Sequence, residues 1–218
     1  MTTSTTSTVQ VGGLRLDRTD ALALAHVYLA RGMRSSGYPA YDTYDADRAA
    51  GPLIDADLLA PVLLNVRQLG IRTYSFLRDA VDTLQEVLDE IPSELDLAVA
   101  TDDQLQLLGR LFAAVDDNAI PGARGTVLSK VLHRKRPRFI PLYDTRVGHV
   151  YQVEGTPPVP VVAGRSWHDF AIAYGSALRD DLQADPDFWD EVAALGRSGP
   201  VTPLRALDVV AWSASTNR

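Results

Sequence analysis

Residues 120–151, IPGARGTVLSKVLHRKRPRFIPLYDTRVGHVY, hold two helical patterns on either side of a basic loop. The first part of the stretch, with Asn118 and Ala119 before it, is a turn rich in Gly and Pro that ends at Gly125. The pattern from Thr126 to His133 then predicts a helix, and Asp144 opens a second one running to Tyr151. Helix, tight turn and helix make a helix-hairpin-helix layout. Gly122 and Gly125 allow a backbone to approach a phosphate, and the first N–H groups of the following helix point towards such a ligand. An ordinary helix connector uses the same residues, so the turn alone leaves both readings open.

The flanking segments are helical too. Thr101 and Gln104 form a capping box before Leu105, Leu108, Leu111, Phe112 and Val115. The apolar positions from Phe76 to Ile91 keep a 3.6-residue period and predict one helix over 74–91, stopped by Pro92. Asp55 caps a helix reaching about Gln68, and Thr19 caps one over 20–33. The stretch 37–51 reads as a loop, with Tyr38, Tyr41 and Tyr44 as a packing stripe. After a Pro- and Val-rich connector over 154–164, Ser166 caps a helix, Pro186 starts another, and Thr202 with Pro203 opens the last, carrying Leu204, Leu207 and Val210. No hairpin partner is evident, so the expected class is all-α, one bilobed helical domain over 16–213 with its helix-hairpin-helix core at 104–151 and a disordered tail over 1–15.

Composition narrows the chemistry. With no cysteine, disulfides and thiolate-held zinc or iron–sulfur clusters are excluded, and the four histidines are scattered, so neither metal nor cofactor is expected. No apolar run approaches the roughly 20 residues of a membrane span, and a Ser/Thr-rich start lacks the basic and apolar regions of a signal peptide. A soluble, cytoplasmic protein with no membrane partner is expected. The net charge of -7 opposes general nucleic-acid binding, yet between Pro121 and Arg146 seven basic residues face the single acid Asp144. That local balance of +6 leaves -13 for the rest. Arg134 to Arg138 is then either a solvated loop or a phosphate-binding surface.

The order Ile120, Pro121, Gly122, then Pro141, Asp144, Val147 and Val150 resembles the helix-hairpin-helix superfamily of base-excision DNA glycosylases, over about 32 of the 218 residues. The chain as a whole is also similar to a group of actinobacterial proteins that share Ser129–Lys130 and Arg136–Pro137. The glycosylase resemblance implies two helical lobes, DNA or a nucleoside-like ligand as partner, and cleavage or recognition of an N-glycosidic bond. It makes Asp144 the carboxylate that stabilises positive charge on the sugar, and an N-cap serves equally well as its reading. Some members add a lysine nucleophile just after the hairpin; Val127 stands there, and Lys130, one turn on, either substitutes for it or pairs with an acid. Gly122, Arg124, Gly125, Arg134, Lys135, Arg136, Arg146 and His149 are the implied nucleic-acid contacts. The hairpin departs from the family by one extra residue between its glycines. A noncatalytic binding module and a small-molecule enzyme acting on a nucleoside are the alternatives.

Overall fold

The structure, a computed structural model, describes residues 7–32, 37–44, 51–66, 69–116 and 119–216. It is mainly α-helical, with one small sheet. That sheet is a correction. Residues 8–15, expected within a tail, instead belong to a hairpin of β1 (Thr8–Val11) and β2 (Leu14–Asp17), with Val9 opposite Leu16 and Val11 opposite Leu14. Alternation turns Val9, Val11 and Leu14 into the core, and Gly12 takes the left-handed φ of +55° that the turn needs. Residues 1–6 of the expected tail lie outside the described residues.

Local chemistry explains most helix ends. Asp17, not Thr19, caps α1 (Arg18–Ala25) by accepting from the Thr19 N–H at 2.7 Å, and a wider π-helical segment continues it through His26–Gly32. A short α2 (Ala40–Thr43) interrupts the expected loop, burying Tyr38 and Tyr41 while Tyr44 stays exposed. The helix expected to reach Gln68 is shorter: α3 (Asp55–Leu59) tightens into a 3-10 segment over Ala60–Leu64 led by Pro61, and Asn65 ends it at a φ of +59°. Its start is held by Asp57, which accepts the Ile54 N–H at 3.0 Å. The helix expected over 74–91 is two, α4 (Ile71–Asp79) and α5 (Val81–Asp89), broken at Ala80. The apolar period runs through the break because Leu77, Leu84, Val87 and Leu88 all remain buried. Met33, residues 45–50, Gln68 and Asn118 fall outside the described residues.

The Thr101–Gln104 capping box is present in full at the start of α6 (Asp102–Ala113), and Ser166 caps α9 (Trp167–Ala184). These two helices pack against each other, with Gly109 against His168 and Ile172, and Gly175 against Leu105 and Leu108. Between them come α7 (Gly125–Leu132), which tightens into a 3-10 turn over His133–Lys135, and α8 (Thr145–Gln152). After α10 (Pro186–Ala193), the last helix, α11 (Pro203–Thr216), lies against α1, α8 and α10. It is therefore central rather than peripheral. Continuous buried apolar contact links the hairpin, through Val9 and Val11, to Ala214 of α11.

One carboxylate ties the hairpin to this core. Asp181 on α9 accepts from the Gly12 N–H at 2.6 Å and from the Tyr151 hydroxyl at 2.7 Å. Burial pushes its carboxyl up to about 6, against those two hydrogen bonds. In an unfolded chain the same group titrates near about 4, so the folded state holds the proton more tightly. Its contribution to stability is fully present below about pH 4 and falls as pH rises to about 6. Asp208 has the same sign over the same window. Asp181→Asn should therefore flatten part of that fall, read by urea unfolding at a series of pH values. Asp181→Ala, which leaves the Gly12 N–H and the Tyr151 hydroxyl unpaired, should lower stability by about 2 kcal/mol or more.

Candidate functional site

In the turn before α7, the Ala123 N–H bonds to Ile120 O at 3.0 Å, and Gly122 has a φ of +80°. Packing within the chain is enough to require both glycines. A Cβ at Gly122 would run into the Thr73 hydroxyl, and one at Gly125 into the ring of Trp167. Arg124 is exposed beside them and occupies the N-cap position of α7 without a side-chain cap.

Across from this turn, Ser129 on α7 accepts the Tyr143 N–H at 3.1 Å, pinning the start of α8 to α7. Asp144 is the N-cap of α8: one carboxylate oxygen accepts from the Arg146 N–H at 2.9 Å and the Val147 N–H at 3.0 Å. Lys130 lies next to Ser129 in sequence. Its side chain is buried, the residue being 6% exposed, and it makes no hydrogen bond or ion pair with any described residue. Burial pushes its ammonium below the usual lysine value, and the charges of Asp144 and Asp208 pull it partly back. It feels the charges of two carboxylates and is paired with neither.

Asp208 comes from α11, where Arg205, 3% exposed, gathers the remaining polar groups. Its Nε–H donates to Asp42 Oδ1 at 2.7 Å and its Nη2 to Asp42 Oδ2 at 3.2 Å. A further Nη2 bond of 3.3 Å reaches the Tyr28 hydroxyl, and Nη1 donates to Asp208. Burial pushes the Asp208 carboxyl up to about 6, while Arg205 and Lys130 oppose the rise. A cavity of about 310 Å3 opens on the Asp42 side of Arg205, lined by Tyr41, Asp42, His133, Arg134, Thr202 and Arg205 among others, with Lys130, Asp144 and Asp208 outside its lining. His133 is neutral in it, pushed down to about 4 by burial. With Nδ1 2.6 Å from Ile140 O, that nitrogen carries the proton and Nε2 is left as an acceptor.

The basic loop is corrected most sharply. Arg134, Lys135 and Arg136 are buried. Arg134 Nη1 and Lys135 Nζ both reach Asp57, at 3.2 and 3.0 Å, and Lys135 also donates to Pro52 O. Arg136 donates to Ile91 O at 2.6 Å and Leu88 O at 2.9 Å, closing the C-terminal end of α5. Positive charge placed among a buried carboxylate and free carbonyls is consumed inside the protein, so these three do not form a phosphate-binding surface. Arg146 is exposed and lies 4.5 Å over the Trp212 ring, and His149 Nε2 is 3.1 Å from Glu154.

The structure thus brings Lys130 and Asp144 together with Asp208, Arg205, Asp42 and Tyr28, four groups the sequence reading did not single out. The available signal was in α11, where Arg205 and Asp208 are two charges three apart on an otherwise apolar face. Among the described residues, no group of three or more His, Cys, Asp or Glu side chains is placed to hold a metal ion, and no helix is long and apolar enough to cross a membrane.

Asp57→Ala should destabilise the fold by about 3–5 kcal/mol, since it strands two buried cations and frees the Ile54 N–H. Replacing Arg134, Lys135 and Arg136 by alanine should likewise lower the melting temperature. A triple variant that melts like the wild type would contradict their structural role.

Comparison with known proteins finds no match among curated proteins and none among solved structures. The model of one family, described as a family of unknown function (DUF6308), matches residues 21–215. Because that match runs from α1 to the last turn of α11 and takes in every group of the Lys130 cluster, the chain belongs to the DUF6308 family.

Proposed function

We propose that this protein cleaves the N-glycosidic bond of a nucleoside unit, with Lys130 as the nucleophilic amine and Asp144 as the carboxylate facing the sugar. The observation that carries this is the buried Lys130, unpaired on its side chain, within the electrostatic reach of Asp144 and Asp208. An ammonium largely desolvated and without a protein partner costs stability, and a lowered lysine pKa in such a setting is a common mark of covalent chemistry. The helix-hairpin-helix resemblance of residues 120–151 points the same way, since α6, the turn, α7 and the capped α8 follow the order it implies.

In the proposed reaction the neutral Lys130 amine attacks the anomeric carbon as the bond to the base breaks. The base leaves with the bonding electron pair and takes up a proton. Asp144, with one oxygen committed to the cap, uses its carboxylate charge to stabilise the positive charge growing on the sugar. Opening of the sugar ring then leaves an imine on Lys130, which water hydrolyses.

A free nucleoside or one in a single strand suits the site better than a duplex. The three basic side chains of the loop are engaged internally and the net charge is -7, which leaves little to hold two phosphate backbones. Arg124 is exposed beside the turn, where it can meet a phosphate.

The protein should release base from nucleosides or from oligonucleotides carrying damaged bases, read by chromatography, and borohydride should trap a covalent adduct at Lys130. Lys130→Met should abolish the adduct and leave the fold as stable as before or more so, since a buried charge gives way to an apolar chain of similar length. Asp144→Asn, which caps about as well, should slow release by about a hundredfold or more at little cost in stability. Activity should rise with pH as Lys130 loses its proton, and Asp208→Asn should move that rise to lower pH by removing a charge that holds the proton on. Base release at an unchanged rate in Lys130→Met would sink the nucleophile assignment. No release from any of these substrates would sink the reading as a whole.

A further inference from the structure

The connector before α9 builds a second cavity of about 160 Å3. Three of its walls are aromatic. Tyr143 and Phe170 meet edge to face with ring centres 5.0 Å apart, Trp167 and Phe170 at 5.5 Å, and Tyr143 and Trp167 at 5.7 Å. Arg165 and Gln152 supply polar groups, and Val161 and Val162, 71% and 52% exposed, line it as well.

One atom in this lining is unsatisfied. Nη1 of Arg165 is buried and has no hydrogen-bond partner; among the described residues it is the one buried side-chain nitrogen or oxygen in that state. Buried donors are almost always paired, so an orphan in a cavity wall marks where an acceptor belongs. The acid that feels the Arg165 charge, Asp169, does not serve: its carboxylate is exposed and lies 3.0 Å from His168 Nδ1. The backbone holds Arg165 in place, through its N–H to Val162 O at 3.3 Å and through Ser166, which caps α9.

Size and lining then select the ligand. An enclosed cavity of roughly 150 Å3 takes up benzene, so about 160 Å3 has room for a single six-membered ring, with one side open at Val161 and Val162. A guanidinium is matched best by a carboxylate, which accepts two of its N–H groups. We infer that the cavity between the connector and the start of α9 is a binding site for a small aromatic carboxylate. Its ring lies among Tyr143, Trp167 and Phe170, its carboxylate accepts from Arg165, and the bound ring covers apolar surface that Val161 and Val162 otherwise leave to solvent. None of these side chains belongs to the Lys130 cluster, so the site stands or falls apart from N-glycosidic chemistry.

Titration calorimetry and saturation-transfer NMR with benzoate, benzamide and acetate as probes test this directly. Benzoate should bind saturably at millimolar concentration or below. Benzamide, which keeps the ring and loses the charge, and acetate, which keeps the charge and loses the ring, should each bind about tenfold more weakly or not at all. Arg165→Gln should weaken benzoate by about tenfold or more while the melting temperature holds or rises, because the stranded donor is gone. Absence of saturable benzoate binding, equal affinity for benzamide, or benzoate binding unchanged in Arg165→Gln would each overturn the site.

Discussion

A guanidinium buried in a helical core has to be surrounded by acceptors, and Arg205 imposes that requirement on two distant parts of the chain and on its own helix. Tyr28 comes from the π-helical continuation of α1, Asp42 from the short α2, and Asp208 from the next turn of α11. Burial works against the Arg205 charge, yet Asp42, Tyr28 and Asp208 hold its pKa well above the usual arginine value. Such an assembly adds little net stability over an apolar core, and removing one partner costs much. Its effect is to place α11 against α1 and α2 in one arrangement and to set an acid beside Lys130.

The same economy of charge runs through the rest of the molecule. Asp57 neutralises Arg134 and Lys135, and the carbonyls of Leu88 and Ile91 occupy Arg136. A segment with a local balance of +6 in a chain of -7 is thus largely internal wiring that joins α3, α5 and the end of α7. Lys130 is the exception. It sits in the same stretch, is as buried as its neighbours, and has no partner of its own. Contrast with three fully engaged basic residues a few positions away is what gives the unpaired amine its weight.

Glycine shows how one residue type serves different ends. The turn before α7 invites a phosphate reading because Gly122 and Gly125 lack side chains, yet Thr73 and the Trp167 ring take up the space a Cβ would need. Packing of Trp167 on Gly125 also positions the aromatic wall of the cavity beside Arg165. The turn and the α9 start are therefore one packed unit, with the Asp116 carboxylate accepting the Trp167 N–H at 2.6 Å.

Features legible in the sequence are local ones. Thr101 with Gln104, Ser166 and Asp144 each cap the helix expected of them, because an N-cap depends on a side-chain oxygen and N–H groups two or three residues away. The apolar period likewise marked Leu77, Leu84 and Leu88 as core, although it could not show the break at Ala80. The hairpin was missed because its strands are four residues each, too short for a period-2 pattern to stand out, and because its anchor, Asp181, lies far along the chain. Tertiary structure alone decided the fate of charge. Whether Arg134 faces solvent or Asp57, and whether Lys130 meets a partner, depends on residues brought together from α2, α3 and α11, and no spacing within residues 120–151 encodes it. A charged side chain has no preferred side of its own; the desolvation it must offset is set by the assembled fold.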